Sequence, residues 1–354
     1  MSTDRTDRTD RTDRTDRADR ADRTDRAGRA GLGGLRAGVL LPYRAVPAPR
    51  TAALAGLAER LGFTSVWAAE VSGADAFAQL AAAAAATVSV ELGTAIVPIG
   101  SRTPALLGMS ANTLATLSGG RFALGIGVSS PRIMRSFHGL APTRPLAAVG
   151  DALTILDDVL GGRRTFHSGE AFSSSGFTLT VPAARPPLLL AALGPGMRRL
   201  AGERADGVIL NFVPASAAAT LAAETAVAGR PFRRLALVRV ALAEPGADRT
   251  PVTLRRGLAS YLRVPPYARW FTSLGLGAVV ERVTAQPDLD AMADALPEDV
   301  VRDLAVVGTA RECARRLREF ASTGLEPVIV PETAAGDVEA YERLITALAA
   351  HLAD

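Results

Sequence analysis

From residue 35 onward, short apolar runs alternate with longer amphipathic ones. The short runs cover 35–41, 64–68, 91–97, 122–127, 188–193, 208–211, 235–243 and 327–330, and each predicts a β-strand. Apolar residues at a spacing of three to four predict helices over 51–61, 75–87, 104–117, 146–160, 196–204, 216–228, 310–322 and 337–352. Residues 250–304 read as mostly helical with proline breaks. Ala123 to Ile126 and Leu188 to Leu190 are apolar at nearly every position. That pattern belongs to strands buried on both faces, as in a parallel sheet between helix layers. Pro104 sits at a helix start, where its missing N–H costs nothing. Ser216 is the expected N-cap of its helix.

Eight strands alternating with helices predict an α/β fold, a single (β/α)8 TIM-type barrel over 35–354. A doubly wound open sheet would carry a glycine-rich dinucleotide turn after its first strand. Leu41-Pro-Tyr-Arg-Ala-Val-Pro47 has none, and Gly31-Leu-Gly-Gly34 precedes the strand. Residues 161–180, rich in Gly, Ser, Phe and Thr, interrupt the alternation like a β-hairpin insertion. Residues 1–34 repeat Thr-Asp-Arg or Ala-Asp-Arg and then decay into Ala, Gly and Arg. Opposite charges without apolar periodicity cannot offset the entropy of ordering, so this segment is expected to be a disordered low-complexity tail.

Composition narrows the function. The 354 residues are 48% hydrophobic, ample for a large core. The net charge of +4 is mixed along the chain, with no basic stripe interleaved with aromatics, so no nucleic-acid partner is expected. Every basic residue is Arg, which excludes Schiff-base chemistry on Lys. Cys313 stands alone in a helical pattern and reads as a buried structural thiol. His138, His167 and His351 lack metal-ligand spacing, so no metal is expected. No apolar run reaches membrane-span length, and the N-terminus is charged, which predicts a cytoplasmic protein with no membrane partner.

Four segments at predicted strand ends carry candidate chemistry. Trp67-Ala-Ala-Glu70 puts a carboxylate at the barrel mouth, where it can move a proton or accept a hydrogen bond; a capping or solvated Glu70 is the alternative. Gly93-Thr-Ala-Ile-Val-Pro98 is by itself a buried strand. In Gly125-Ile-Gly-Val-Ser-Ser-Pro131 the glycines admit close approach of a ligand or backbone, and the serines offer donors. Ala191-Ala-Leu-Gly-Pro-Gly-Met-Arg198 opens a helix, whose free N–H groups favour an anion such as a phosphate; an ordinary capped turn is the alternative.

These segments resemble the luciferase-like monooxygenase superfamily, in particular its branch of coenzyme F420-dependent oxidoreductases. Further motifs carry the resemblance: Asp75-Ala-Phe-Ala-Gln79, Ser101-Arg-Thr-Pro104, Ser118-Gly-Gly-Arg121, Phe137-His-Gly139, Ala205-Asp-Gly207, Tyr261-Leu-Arg-Val-Pro-Pro-Tyr267 and Val307-Gly-Thr309. The resemblance implies a cis peptide bond at Ala95–Ile96, with the tricyclic ring against Ala95, Ile96 and Val97. It implies that Val128 and Ser129 touch the ring or ribityl chain, and that Leu193, Gly194, Gly196 and Met197 hold the phosphate. Glu70 takes a position where some relatives place a catalytic His, and Asn211 a substrate-facing one. His138 is a family feature that supports its loop or touches a ligand.

Ser130 stands where some relatives carry a catalytic Glu, and a serine cannot act as a carboxylate base at neutral pH. The implied activity is hydride transfer between coenzyme F420 and a small organic molecule, for instance reduction of a C=C or C=N bond in secondary metabolism. An FMN-dependent monooxygenase and a non-catalytic binding scaffold on the same fold are the rivals. The oligomeric state stays open, with a homodimer as a candidate.

Overall fold

The computed structural model describes residues 32–353 except 44, 141–143 and 248. Its strands in chain order are β1 (Gly38–Leu40), β2 (Ser65–Ala68), β3 (Glu91–Thr94), β4 (Val97–Pro98), β5 (Phe122–Gly127), β6 (Phe166–Ser168), β7 (Ser173–Ser175), β8 (Leu188–Ala191), β9 (Gly207–Asn211), β10 (Arg233–Leu242), β11 (Ala305–Gly308) and β12 (Glu326–Pro331). Eight of them, β1, β2, β3, β5, β8, β9, β10 and β12, pair in that order, all parallel, and β12 returns to β1. The expected barrel is therefore closed. β4 continues β3 beyond residues 95–96 and pairs with β5.

Side chains alternate between the barrel interior and the helix layer. Leu40, Trp67, Leu189, Ile209, Leu235 and Val330 fill the interior. Their neighbours Val39, Val66, Leu190, Val208 and Ala236 pack under the helices. Trp67 fits across the interior because Gly93 has no side chain: a Cβ there would lie 2.2 Å from the indole.

The N-terminal end of the barrel is closed by charge. Arg233 on β10 reaches Glu91 at 2.5 Å and Glu326 at 2.8 Å. Burial opposes its charge, but the two carboxylates outweigh that and raise the Arg233 pKa. At the same end Glu59 accepts the backbone N–H groups of Val88, Ser89 and Val90, which fixes the turn into β3.

The hairpin insertion is present as antiparallel β6 and β7. It is tied to the helix Pro145–Leu160 by Asp151, which meets His167 Nε2 at 2.9 Å and accepts from Ala171 N and Phe172 N. Cys313 is buried with Sγ 3.5 Å from the Gly308 carbonyl, and burial pushes its thiol up to about 12. Among the described residues no helix is long and apolar enough to cross a membrane.

The structure differs from the sequence reading in four places. Residues 1–31 of the expected tail lie outside the described residues, and Leu32–Gly34 form a 3-10 turn with Leu32 buried. Residues after β5 form a helix, Pro131–His138, where a loop is expected. Ser216 caps no helix; its N–H and hydroxyl donate to Asp303. β11 is an added strand that pairs with the C-terminal half of β10, beside rather than within the ring.

Candidate active site at the C-terminal mouth of the barrel

Every candidate residue lies at or beyond the C-terminal end of a barrel strand, the face that carries chemistry in this architecture. Among the described residues only Leu32, Ala45, Ser129 and Phe212 have positive φ without being glycine. The last three follow β1, β5 and β9, so backbone strain gathers at the mouth.

One half of the mouth is small and apolar. The Ala95–Ile96 peptide bond is cis, as the resemblance implies. The Ile96 carbonyl accepts from Glu70 N at 3.1 Å, and Ala95 N donates to the Ala68 carbonyl at 2.7 Å. The strand end is pinned from the other side by the Thr94 hydroxyl, which donates to the Gly125 carbonyl at 2.7 Å and accepts from Gly125 N at 2.8 Å. Only glycine fits at 125, because a Cβ would sit 1.9 Å from the Thr94 carbonyl oxygen. Ala69, Ile96 and Ala191 are partly exposed over the interior cluster. Val128 and Leu193 are partly buried against the surrounding helix-layer core instead. Ala69, Ile96 and Ala191 form a small apolar floor.

Ser130 has a structural role. Its hydroxyl accepts from Ile133 N at 3.2 Å and caps the helix Pro131–His138. His138 ends that helix, exposed, and donates to no described residue. At the edge of the floor the helix Pro195–Arg204 starts at Gly194 with no side-chain cap. Its first N–H groups, those of Gly196 and Met197, are thereby left for an anion. A Cβ on Gly194 would meet nothing within 4 Å, so the loop faces open space. Arg198 turns back to the Leu193 carbonyl and to Glu224 and so braces the loop.

Glu70 is neither solvated nor free. Its Oε1 accepts from Arg102 at 2.6 Å and from the Ser101 hydroxyl at 3.2 Å. Oε2 faces Ala76 N at 3.5 Å. Arg102 also pairs with Asp75 and lies 5.0 Å from the Phe77 ring centroid. Burial works against the Arg102 charge, and the two carboxylates overcome it, so its pKa rises. This network joins the exit of β2 to the loop over 98–103.

The other half of the mouth is polar, and most of it is not evident from the sequence. Asn211 stands on the inner face of β9. Its Oδ1 accepts from Arg239 Nη1 at 3.1 Å, and its Nδ2 donates to the Tyr267 hydroxyl at 3.1 Å. Arg239, on β10, is 6% exposed; its Nε lies 3.1 Å from Glu332 Oε1, and its guanidinium carbon stands 3.7 Å from the Phe212 ring centroid. Burial raises the Tyr267 pKa and keeps the phenol protonated. Trp270 Nε1 is shared at 3.1 Å by the Asn211 and Phe212 carbonyls. Tyr261, Tyr267 and Phe271 close around Phe212 edge to face. The repeated tyrosines of Tyr261-Leu-Arg-Val-Pro-Pro-Tyr267 were the available signal for this wall; Arg239 and Glu332 left none.

Comparison with known proteins agrees with this architecture. A Mycobacterium tuberculosis protein named as a coenzyme F420-dependent oxidoreductase is 28% identical, over 88% of this chain and 99% of its own length. The solved coenzyme F420-dependent tetrahydromethanopterin reductase from Methanopyrus kandleri superposes with a TM-score of 0.75 at 19% identity, covering 89% of this chain and 97% of that one. An F420-dependent secondary alcohol dehydrogenase superposes at 0.68 with 18% identity, covering 89% of this chain and 99% of that one. At such identities the two structures establish the fold alone. The sequence model of luciferase-like monooxygenases matches residues 34–326, most of the barrel, and the chain is an enzyme that belongs to that family.

Proposed function

We propose that this enzyme binds coenzyme F420 at the mouth of the barrel and transfers a hydride between it and a small organic substrate. The observation that carries the reading is the division of the mouth. A small apolar floor ends at an uncapped helix start, a shape that suits a flat ring with a phosphate at the end of its chain. The name of the Mycobacterium relative supports the choice of coenzyme. When bound, the coenzyme supplies a two-electron hydride carrier, and the protein supplies orientation and a dry site.

In this assignment Ala95, Ile96 and Val97 back the ring, and Val128 and Ser129 flank it. Leu193, Gly194, Gly196 and Met197 hold the phosphate with backbone N–H groups. Asn211 faces the substrate from across the mouth. Glu70 is assigned as a positioning residue, because its oxygens are taken up by Arg102, Ser101 and Ala76. Its network holds the loop beside the cis bond, and its own N–H holds the Ile96 carbonyl. Proton delivery then falls to solvent or to the substrate.

Titration of the full chain with coenzyme F420 and, separately, with FMN tests the reading. Saturable binding of coenzyme F420, with no oxygen uptake when it is reduced, is expected. Selective binding of FMN with oxygen uptake would instead make this a flavin monooxygenase.

A further inference from the structure

Arg239 is placed as a recognition group. In the ring of eight strands β10 lies four positions from β3 in either direction, so Arg239 stands across the mouth from the Ala95–Ile96 floor. It shares the inner face of β10 with Leu235 and Leu237 and forms the layer above them. Three contacts fix its plane: Glu332 at Nε, Asn211 at Nη1 and the Phe212 ring. Nη2 donates to no described residue, although the side chain is only 6% exposed. Nη2 is not sealed from solvent, so this donor edge stays open to an acceptor that enters the mouth. Arg233, on the same strand, has a carboxylate for each of its terminal nitrogens.

We propose that Arg239 recognises the substrate by donating from this edge to a neutral carbonyl oxygen. The proposal rests on the reading above in placing the substrate between Arg239 and the floor. Neutrality follows from Glu332. Glu332 already sits at the guanidinium, so a second carboxylate, from the substrate, would be brought beside the first. A carbonyl oxygen accepts the same hydrogen bond without that repulsion.

Calorimetric titration of the full chain, with and without coenzyme F420, tests this with cyclohexanone and cyclohexanecarboxylate as probes. The wild type is expected to prefer the ketone. Arg239→Met is expected to weaken ketone binding about tenfold or more, the loss of one charge-assisted hydrogen bond. Glu332→Gln is expected to improve binding of the carboxylate about tenfold by removing the repelling charge.

Since Arg239→Met takes the guanidinium away from Glu332, the double variant Arg239→Met with Glu332→Leu serves as a folded counterpart, checked by its melting curve. Ketone affinity equal to wild type in either folded variant would overturn the proposal. So would a wild-type preference for the carboxylate, or no ketone binding at about 50 mM, a weaker interaction than one such bond should give. Coenzyme F420 affinity is measured on the same proteins. Ketone binding that responds to Arg239 in a protein that ignores coenzyme F420 would sink the hydride-transfer reading alone. Coenzyme binding with an Arg239-independent ketone response would sink the recognition role alone.

Discussion

Strand β10 carries an arginine at each end of the barrel, and the two are used differently. Arg233, at the N-terminal end, spends its terminal nitrogens on Glu91 and Glu326 and seals the barrel floor. Arg239, at the C-terminal end, has one carboxylate, one amide and one ring, and keeps a donor edge unmet by any described residue. The same residue type on the same inner face thus makes a plug at one end and a binding surface at the other. The number of acidic neighbours decides which. Stability should therefore be concentrated at the closed end and binding at the open one.

The largest effect is expected from Arg233→Met. It removes the cation between two carboxylates and should cost about 3–5 kcal/mol of stability, as for other broken interior ion pairs. Chemical denaturation measures the loss, and coenzyme affinity of the folded fraction should stay at its wild-type value. A mutant as stable as wild type would break the contrast between the two ends.

Gly196→Asp tests the opposite end. A Cβ at 196 meets only the flexible tip of Leu146, at 3.3 Å, and an acidic residue suits a helix start, so the melting temperature should hold. Coenzyme affinity should fall about ten- to a hundredfold, roughly 1.4–2.8 kcal/mol, because a carboxylate then occupies the anion site. Unchanged affinity would move the phosphate elsewhere.

Glu70→Gln lies between these cases. A positioning residue should lower turnover by less than about tenfold with a modest drop in melting temperature, whereas loss of a proton carrier costs about 10²–10⁴-fold. Single-turnover rates with reduced coenzyme separate the two, and the larger loss would return Glu70 to a catalytic role.

A smaller effect on stability than that of Arg233 belongs to Glu59, also at the closed end. Burial raises its pKa, but the N–H groups of Val90, Ser89 and Val88 outweigh that and lower it below the ordinary 4.5. A depressed carboxylate stabilises the fold at pH above its unfolded value, and the contribution is lost as pH falls through the folded value. Glu59→Gln should be less stable than wild type by about 1–2 kcal/mol at pH 7. The gap should close as the pH drops below about 4.5, which is read from melting curves against pH. A pH-independent gap would remove Glu59 from the list of pH-sensitive contacts.

The eight barrel strands were legible because each is buried on both faces, and Leu188 to Leu190 need no partner to be recognised as apolar throughout. Helices such as Pro104–Leu117 and Ala310–Ser322 were legible to the residue because their caps are local: Thr103 and Thr309 accept from the third residue onward. The helix Pro131–His138 had the same local signals, a serine cap, a proline at the first turn and Gly139 at the end, and was masked by its brevity. β11 follows directly on the helix Glu298–Leu304 with no turn residue between, so nothing local marks the change.

The sequence by itself determined the strand and helix order, the closed barrel and the segments that gather at its mouth. These follow from periodicity and caps, which act over a few residues. Tertiary structure alone decided what the polar groups do there. Glu70 meets Arg102 across 32 residues, and Arg233 meets Glu91 across 142. Arg239 joins Asn211 and Glu332 only because β9, β10 and β12 are neighbours in the ring. An ion pair or hydrogen bond depends on which strands lie side by side, and strand adjacency is a property of the closed ring that no local pattern records.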